Sequence, residues 1–387
     1  MSTLVLITGT GRSGTSTMSG TLDHLGLHVP GPYLGANKSN PKGFFESRWS
    51  VQFHKRITSG AGINDFDSRP DAFALAQAAV TDELRTELRE FLARESREHD
   101  QVVVKDPRSV WAQRVWREAA ERAGLEITYI SMLRHPAEVV GSRTTYYATP
   151  ADEAARHSYE TFNVARWVNS SLVSERETRG QRRAFVSYVD LLHDWRPVLV
   201  GLAQDLGLSY DVDVAGGESS SVDEFIDPGL RRHQVTWDDL GVPEDLRSIA
   251  EAVWGDLLEL QAGHGVDAAA SADLDLQAER YRALFTMAAD IAHDNVETER
   301  RRLRELTQKP RKGKRQDEQP RGTQPAAKAA RTSGGERSRQ RSPSTPPGAG
   351  ARAAGRPRVE DLPVGQVGGR DLLRVIAARA RRRLSRG

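Results

Sequence analysis

An apolar run that stops on glycines constrains this chain more than any other feature. Leu4-Val5-Leu6-Ile7-Thr8 leads directly into Gly9-Thr10-Gly11-Arg12-Ser13-Gly14-Thr15-Ser16. Five apolar or β-favouring residues predict a buried strand, and the spacing after Gly14 predicts a helix over Thr15 to Leu22. Glycines let the connecting backbone curl tightly, and the first-turn amides of the following helix suit an anion. A strand, a phosphate loop and a helix therefore open the chain. A glycine-rich turn holding nothing is the competing reading, and a position straight after an amino-terminal strand argues against it.

The same pattern recurs downstream. Gln101-Val102-Val103-Val104 predicts a second strand ending at Lys105-Asp106-Pro107-Arg108, and Leu125 to Leu133 a third ending at Arg134-His135-Pro136. Ala184 to Tyr188 predicts a fourth. Helices are expected over Ser47 to Ile57, Thr81 to Glu95, Trp111 to Ala123, Ala137 to Tyr147, Pro150 to Arg176 and Val198 to Leu206. Pro136 stands at a first helical position and Gly207 just past a last one. Short buried strands alternating with amphipathic helices predict an α/β fold, a three-layer parallel sheet covered by helices and P-loop-like at its start. In such sheets ligands bind at the carboxyl ends of the strands, where the polar clusters fall.

Charge divides the chain. Residues 1–306 carry 34 Lys and Arg against 47 Asp and Glu, net −13, while residues 307–387 carry 21 against 6, net +15. We expect a catalytic-type domain over 1–272, a long helical extension over 273–306, a disordered basic linker over 307–365 and a basic amphipathic helix over 366–387. The extension lacks glycine and proline, and Tyr281, Leu284, Ala288 and Ile291 give it a short seam that suggests a homodimer or packing on its own domain. The basic tail suits an anionic membrane surface, an acidic partner or simple solvation, and no specific nucleic acid is indicated. The absence of cysteine excludes disulfides and thiolate chemistry. With Met1 leading into a strand and no membrane-length apolar run, a cytoplasmic protein, peripheral to the membrane if the tail binds one, is expected.

The loop spacing Gly9, Gly14, Ser16 is that of a nucleoside-triphosphate loop, but Thr15 stands where that loop has its lysine. The cation is Arg12, inside the loop, which can clamp an anion without metal. Arg134, with Ser142 two helical turns on, provides a second place for a phosphate. Together with Tyr188-Val189-Asp190-Leu191 and Arg231-Arg232-His233, these segments resemble sulfotransferases that use 3′-phosphoadenosine-5′-phosphosulfate (PAPS), of the bacterial and carbohydrate type. The resemblance covers most of residues 1–265. It implies that Arg12, Ser13, Gly14, Thr15 and Ser16 grip the 5′-phosphosulfate. By the same resemblance Arg134, Ser142, Arg231 and Arg232 grip the 3′-phosphate, and Tyr188 lies near adenine. Two departures are visible: Thr17 replaces a stacking tryptophan, and Lys105-Asp106-Pro107 lacks the histidine of the cytosolic members.

The segment Asn40 to Glu46 looks like the version of the family that carries a glutamate after the first helix, so Glu46 is the candidate base. Phe44, Phe45 and Trp49 are expected to raise its pKa by desolvation. Lys105 is expected to neutralise charge from the other side, while Asp106 and His54 are reserve bases, His54 being expected as a solvated helix residue. Sulfuryl transfer is an in-line displacement needing a base, cations at the leaving oxygen and alignment, but no metal. The acceptor is expected to be a hydroxyl compound, a carbohydrate, glycolipid or small molecule, lined by Asp65 to Ala79, Tyr146, Tyr147 and Trp167. A nucleotide phosphotransferase and a non-catalytic nucleotide-binding scaffold are the rival readings.

Overall fold

The chain begins with strand β1 (Thr3–Thr8) and helix α1 (Thr15–His24), then α2 (Arg48–Ala61), α3 (Ala72–Ala78) and α4 (Asp82–Glu98). Next come β2 (Gln101–Lys105), α5 (Gln113–Ala123), β3 (Glu126–Leu133), α6 (Pro136–Tyr147) and α7 (Glu153–Thr178). Then follow β4 (Arg183–Ser187), α8 (Tyr188–His193), α9 (Trp195–Leu206), α10 (Val222–Phe225), α11 (Glu244–Ala262), α12 (Ala268–Ile291) and α13 (His293–Gln308). This computed structural model describes residues 2–37, 40–147, 150–227, 229, 231 and 234–308. The expected linker beyond Gln308, the expected helix 366–387, Arg232, His233 and Thr149 lie outside the described residues.

All four strands are parallel, in the order β2-β1-β3-β4. Leu4 pairs with Val102 on one side and Ile127 on the other, and this register runs along β1. Because both faces are covered, the strands read as continuous apolar runs rather than alternating ones. Leu4 and Leu6 point into a cluster with Phe53, Phe91, Trp111, Trp116 and Tyr129. Val5 and Ile7 point the other way, against Met18, Leu22, Leu199 and Leu202 of α1 and α9. Farther along the first face, Leu133 and Phe185 meet Trp167, Val168, Val253 and Leu257 from α7 and α11. The expected three layers are thus present. The first crossover from β1 leads to β2 and the next to β3 on its other flank, so the order reverses beside β1, which is where sheets of this kind open a ligand crevice.

Several boundaries differ from the expectation. Tyr188 does not end the fourth strand but opens α8, because Ser187 caps that helix by accepting from the Asp190 amide. The helix expected from Trp111 divides into a 3₁₀ turn, Pro107–Trp111, capped by Asp106, and α5. The helix expected from Pro150 starts at Glu153, where Asp152 is the cap. The helix expected from Asp273 starts at Ala268 behind the cap Asp267 and breaks at Ala292, before the weak helix formers His293, Asp294 and Asn295. The compact unit carrying the sheet closes at Ala292, beyond the boundary at 272, because Ala270, Leu274 and Tyr281 are buried in its core. The Tyr281 hydroxyl donates to the Ser68 carbonyl at 2.5 Å, so this part of the seam packs on its own unit. Helix α13, the described part of the second unit, exposes Val296, Leu303 and Leu306.

Candidate functional site

The segments that follow the four strands meet in one cavity of about 630 Å³, lined among others by Arg12 after β1, Arg108 after β2, Arg134 after β3 and Tyr188 after β4. After Thr8 the backbone runs so close to β3 that a Cβ on Gly9 would lie 2.6 Å from the Met132 carbonyl oxygen. Gly14 has φ +88°, and a Cβ there would lie 2.1 Å from the Tyr188 ring. Only glycine combines that left-handed backbone with so close an approach. Thr10 and Ser13 close the loop on itself through a hydroxyl pair at 2.6 Å. At its exit the first-turn amides of α1, from Thr15 onward, lack intrahelical acceptors as at any helix start. Gly14, Thr15 and Ser16 line the cavity, whereas the Ser13 side chain is buried within the loop.

Arg12 joins this loop to the second expected phosphate position. Its backbone is left-handed, with φ 79°, a conformation costly for a residue with a Cβ. Its Nε donates to Ser142 Oγ at 3.0 Å and its guanidinium stands 4.7 Å from the centre of the Tyr146 ring. Arg134 answers by donating Nη1 to the Arg12 carbonyl at 3.1 Å, with its guanidinium 5.1 Å from the Tyr188 ring centre. The two stations read separately in the sequence are one continuous group.

Glu138 is a member of this group that sequence reasoning missed. It accepts from Arg134 Nε at 2.9 Å and from Arg231 Nη2 at 2.6 Å. Burial pushes its carboxyl up, but the Arg231 and Arg134 bonds outweigh that and hold it below the usual range. Its carboxylate therefore orients both guanidiniums. The available signal was the Arg134–Glu138 spacing of four on a helix that begins at Pro136.

Glu46 comes from the loop between α1 and α2 and is just before Ser47, the residue preceding α2. Its main chain is fixed by the Leu34 amide donating to the Glu46 carbonyl at 2.9 Å. Its side chain lines the cavity and accepts from Lys105 Nζ at 2.6 Å. Lys105 also donates to Ser16 Oγ at 3.0 Å, tying the carboxylate to the phosphate loop. Burial raises the Glu46 carboxyl above the ordinary range, and the Lys105 ammonium pulls it only part of the way back. The Lys105 side chain is 0% exposed, so it stands behind Glu46 and Ser16 rather than facing the cavity. Of the aromatics expected around Glu46, Phe44 lines the cavity. Trp49 faces the core instead, stacked on Phe91 with ring centres 3.8 Å apart, because α2 turns its periodic apolar side to the sheet.

His54 is not the solvated helix residue that was expected. It is 1% exposed, with Nδ1 2.9 Å from Asp106 Oδ2 and Nε2 accepting from the Trp116 indole at 2.8 Å. The apolar period of α2 places it inward beside Phe53, and the polar partners make that burial tolerable. Asp106 is wholly buried; burial alone would raise its carboxyl, but His54 and Arg108 hold it down at about 2. Neither His54 nor Asp106 lines the cavity; Arg108, which donates Nη1 to Asp106 Oδ1 at 2.7 Å, does.

Of the residues expected on the acceptor side, some line the cavity and some do not. Asp65, Phe66, Tyr146 and Arg143 line it. Trp167 does not: it is buried among Leu133, Val164 and Leu257. The Tyr147 side chain lies outside the described residues, as does Arg232.

No family model matches the chain, and no curated protein matches it. Among solved structures, the chain is similar to the sulfotransferase domain from the Synechococcus PCC 7002 olefin synthase, with 16% identity over 72% of this chain and 94% of that one and a TM-score of 0.35. It is also similar to the sulfotransferase domain from the curacin biosynthetic pathway, with 16% identity, 67% and 98% coverage and a TM-score of 0.37.

Proposed function

We propose that the protein transfers a sulfuryl group from PAPS to a hydroxyl acceptor, and one observation carries this reading. A single cavity combines a lysine-free glycine loop, an arginine–serine station joined to it through Arg12, and a carboxylate raised by burial. The donor set suits a nucleotide with anionic groups at two separate points: guanidinium and hydroxyl groups at one end, loop amides at the other. The volume falls within the range of about 300–1,000 Å³ typical of ligand sites. Tyr188, packed against Gly14 and Arg134, bounds the space between the two stations.

In this reading Glu46 takes the proton of the acceptor hydroxyl as its oxygen attacks sulfur. The sulfur–oxygen bond to the 5′-phosphate breaks, and the charge left on that oxygen is neutralised by Arg12 and the amides of Thr15 and Ser16. Lys105 acts through its two contacts, holding the Glu46 carboxylate against Ser16. A carbohydrate or glycolipid is the acceptor class we favour, since the net +15 of residues 307–387 suits attachment to an anionic membrane surface. Among the described residues no helix is long and apolar enough to cross a membrane.

Sulfur-labelled PAPS and a panel of hydroxylated saccharides provide the test. The wild-type chain should label an acceptor, and Glu46→Gln should lower the rate by about 10²–10⁴-fold, the usual share of a general base. Equal labelling by both proteins would remove Glu46 from the chemistry, and labelling from ATP instead of PAPS would replace the reaction class.

A further inference from the structure

The loop between α2 and α3 is clamped from behind and leaves two side chains in the cavity. Within it the buried Asp67 accepts from the Asn64 and Arg69 amides, both at 2.9 Å, and from the Arg69 guanidinium. From α7, Asn169 donates to the Asp67 and Arg69 carbonyls at 2.8 and 2.9 Å, and the buried Trp111 indole donates to the Asp65 carbonyl at 2.9 Å. None of these bonds uses the side chains of Asp65 and Phe66, which both line the cavity.

Beside them stands Arg108, which also lines the cavity. Its amide and its Nη1 both donate to Asp106 Oδ1, at 3.0 and 2.7 Å, so the guanidinium is fixed from the buried side. Asp65 Oδ2 lies 3.0 Å from Arg108 Nε but off the line of its N–H, a charge contact without a hydrogen bond. Among the described residues the Asp65 carboxylate accepts no hydrogen bond and Arg108 Nη2 donates none. The Phe66 ring lies against the phosphate loop, where a Cβ on Gly11 would be 2.7 Å from its tip. An anchored acceptor, an anchored donor and an apolar ring therefore border the same space as Glu46.

A hydroxyl both donates and accepts hydrogen bonds, and its bonds to ionised partners are the strong ones. A carboxylate next to a guanidinium matches two hydroxyls on adjacent carbons, one donating to the acid and the other accepting from the base, while an aromatic residue takes the C–H groups of the same ring. From this juxtaposition, and resting on the transfer reading above, we propose that Asp65, Arg108 and Phe66 form a sugar subsite, which holds a vicinal diol of the acceptor while another of its hydroxyls is presented to Glu46. Asp65 is then a specificity-determining residue for polyhydroxylated acceptors and plays no part in nucleotide binding.

Ligand-observed NMR titration of the full chain, saturated with adenosine 3′,5′-bisphosphate, tests this. It compares the methyl glycosides of glucose, galactose and mannose with cyclohexanol, which keeps a six-membered ring and one hydroxyl but has no diol. At least one glycoside should bind at least about tenfold more tightly than cyclohexanol, and Asp65→Ala should bring the two within about threefold, with the equally shaped Asp65→Asn between wild type and Asp65→Ala. A second arm uses the octyl glycoside of the same sugar below its micelle concentration. Binding no tighter than that of the methyl glycoside assigns the subsite to a free saccharide, and tighter binding that Asp65→Ala weakens by the same factor assigns it to a glycolipid head group. Equal binding of cyclohexanol and every glycoside, absence of glycoside binding, or a preference that survives Asp65→Ala and Asp65→Asn would overturn the proposal. A thermal melt and the affinity for adenosine 3′,5′-bisphosphate, both expected unchanged in the two variants, separate this from misfolding. If the bisphosphate itself fails to bind the wild type, the nucleotide reading falls, and the same Asp65 contrast on the nucleotide-free chain still decides the sugar subsite.

Discussion

Replacing Lys105 by Met removes a cation from a place water cannot reach. The ammonium is 2.6 Å from Glu46 and 3.0 Å from Ser16, and its side chain is wholly buried. Methionine fills nearly the same volume, so the perturbation is electrostatic rather than a cavity. A hydrogen bond to a charged group contributes about 1.5–3 kcal/mol, and about 1.4 kcal/mol corresponds to one pH unit, so the Glu46 midpoint should rise by about one to two pH units. The direction follows because burial already raises this carboxyl and Lys105 is the principal group opposing it. Stability follows the same sign. A carboxyl raised in the folded state contributes fully below its unfolded midpoint and loses that contribution as pH rises through the folded one. Lys105→Met should therefore lose most at alkaline pH, about 3–5 kcal/mol for a broken buried pair, and regain stability as Glu46 takes up a proton. Carbon-13 NMR of glutamate carboxyls, with Glu46→Gln assigning the resonance, reads the midpoint without any acceptor. A midpoint unmoved or lowered in Lys105→Met would refute the idea that Lys105 controls Glu46.

Other outcomes follow from the same structure. Gly14→Ala combines a left-handed backbone with a Cβ 2.1 Å from Tyr188, and should cost about 2–4 kcal/mol by urea unfolding as well as weaken nucleotide binding; full stability would show that the loop relaxes freely. The Asp106 carboxyl, held at about 2 against an ordinary 3.8, contributes about 2 kcal/mol that is present above the ordinary value and lost as pH falls toward the folded one. The stability gap between wild type and Asp106→Asn should therefore shrink by that amount between about pH 5 and pH 2, and a constant gap would contradict the buried His54–Asp106–Arg108 arrangement. Deleting residues 307–387 removes a net +15 and should abolish sedimentation with phosphatidylserine vesicles; equal sedimentation of the truncated chain would assign membrane attachment elsewhere or nowhere.

The sheet was legible in the sequence because parallel strands covered on both faces must be apolar at every position, as Leu4 to Ile7 and Val102 to Val104 are. The strand ends were legible for the same reason, since each apolar run stops where polar residues enter the cavity. What could not be read was how those residues bond to one another. The Arg12–Ser142 bond joins residues 130 positions apart, and Glu138 is a charge whose two partners become adjacent only after the chain folds. His54 looked like one polar residue on an amphipathic helix. Only β2, by bringing Asp106 opposite it, supplies the partner that permits burial. Trp49 was expected beside Glu46 and Trp167 on the acceptor side, whereas helix rotation sends both to the core.

The central claim is that one cavity holds a nucleotide phosphorylated at both its 5′ and 3′ positions. Equilibrium binding of adenosine 3′,5′-bisphosphate and of adenosine 5′-monophosphate to the wild type and to Arg134→Ala measures it directly. The bisphosphate should bind the wild type at least about tenfold more tightly than the monophosphate, since guanidinium–phosphate bonds are charge-assisted, and Arg134→Ala should erase most of that difference. Equal affinities in the wild type, a difference that Arg134→Ala leaves intact, or a preference for magnesium-ATP over both would contradict the account.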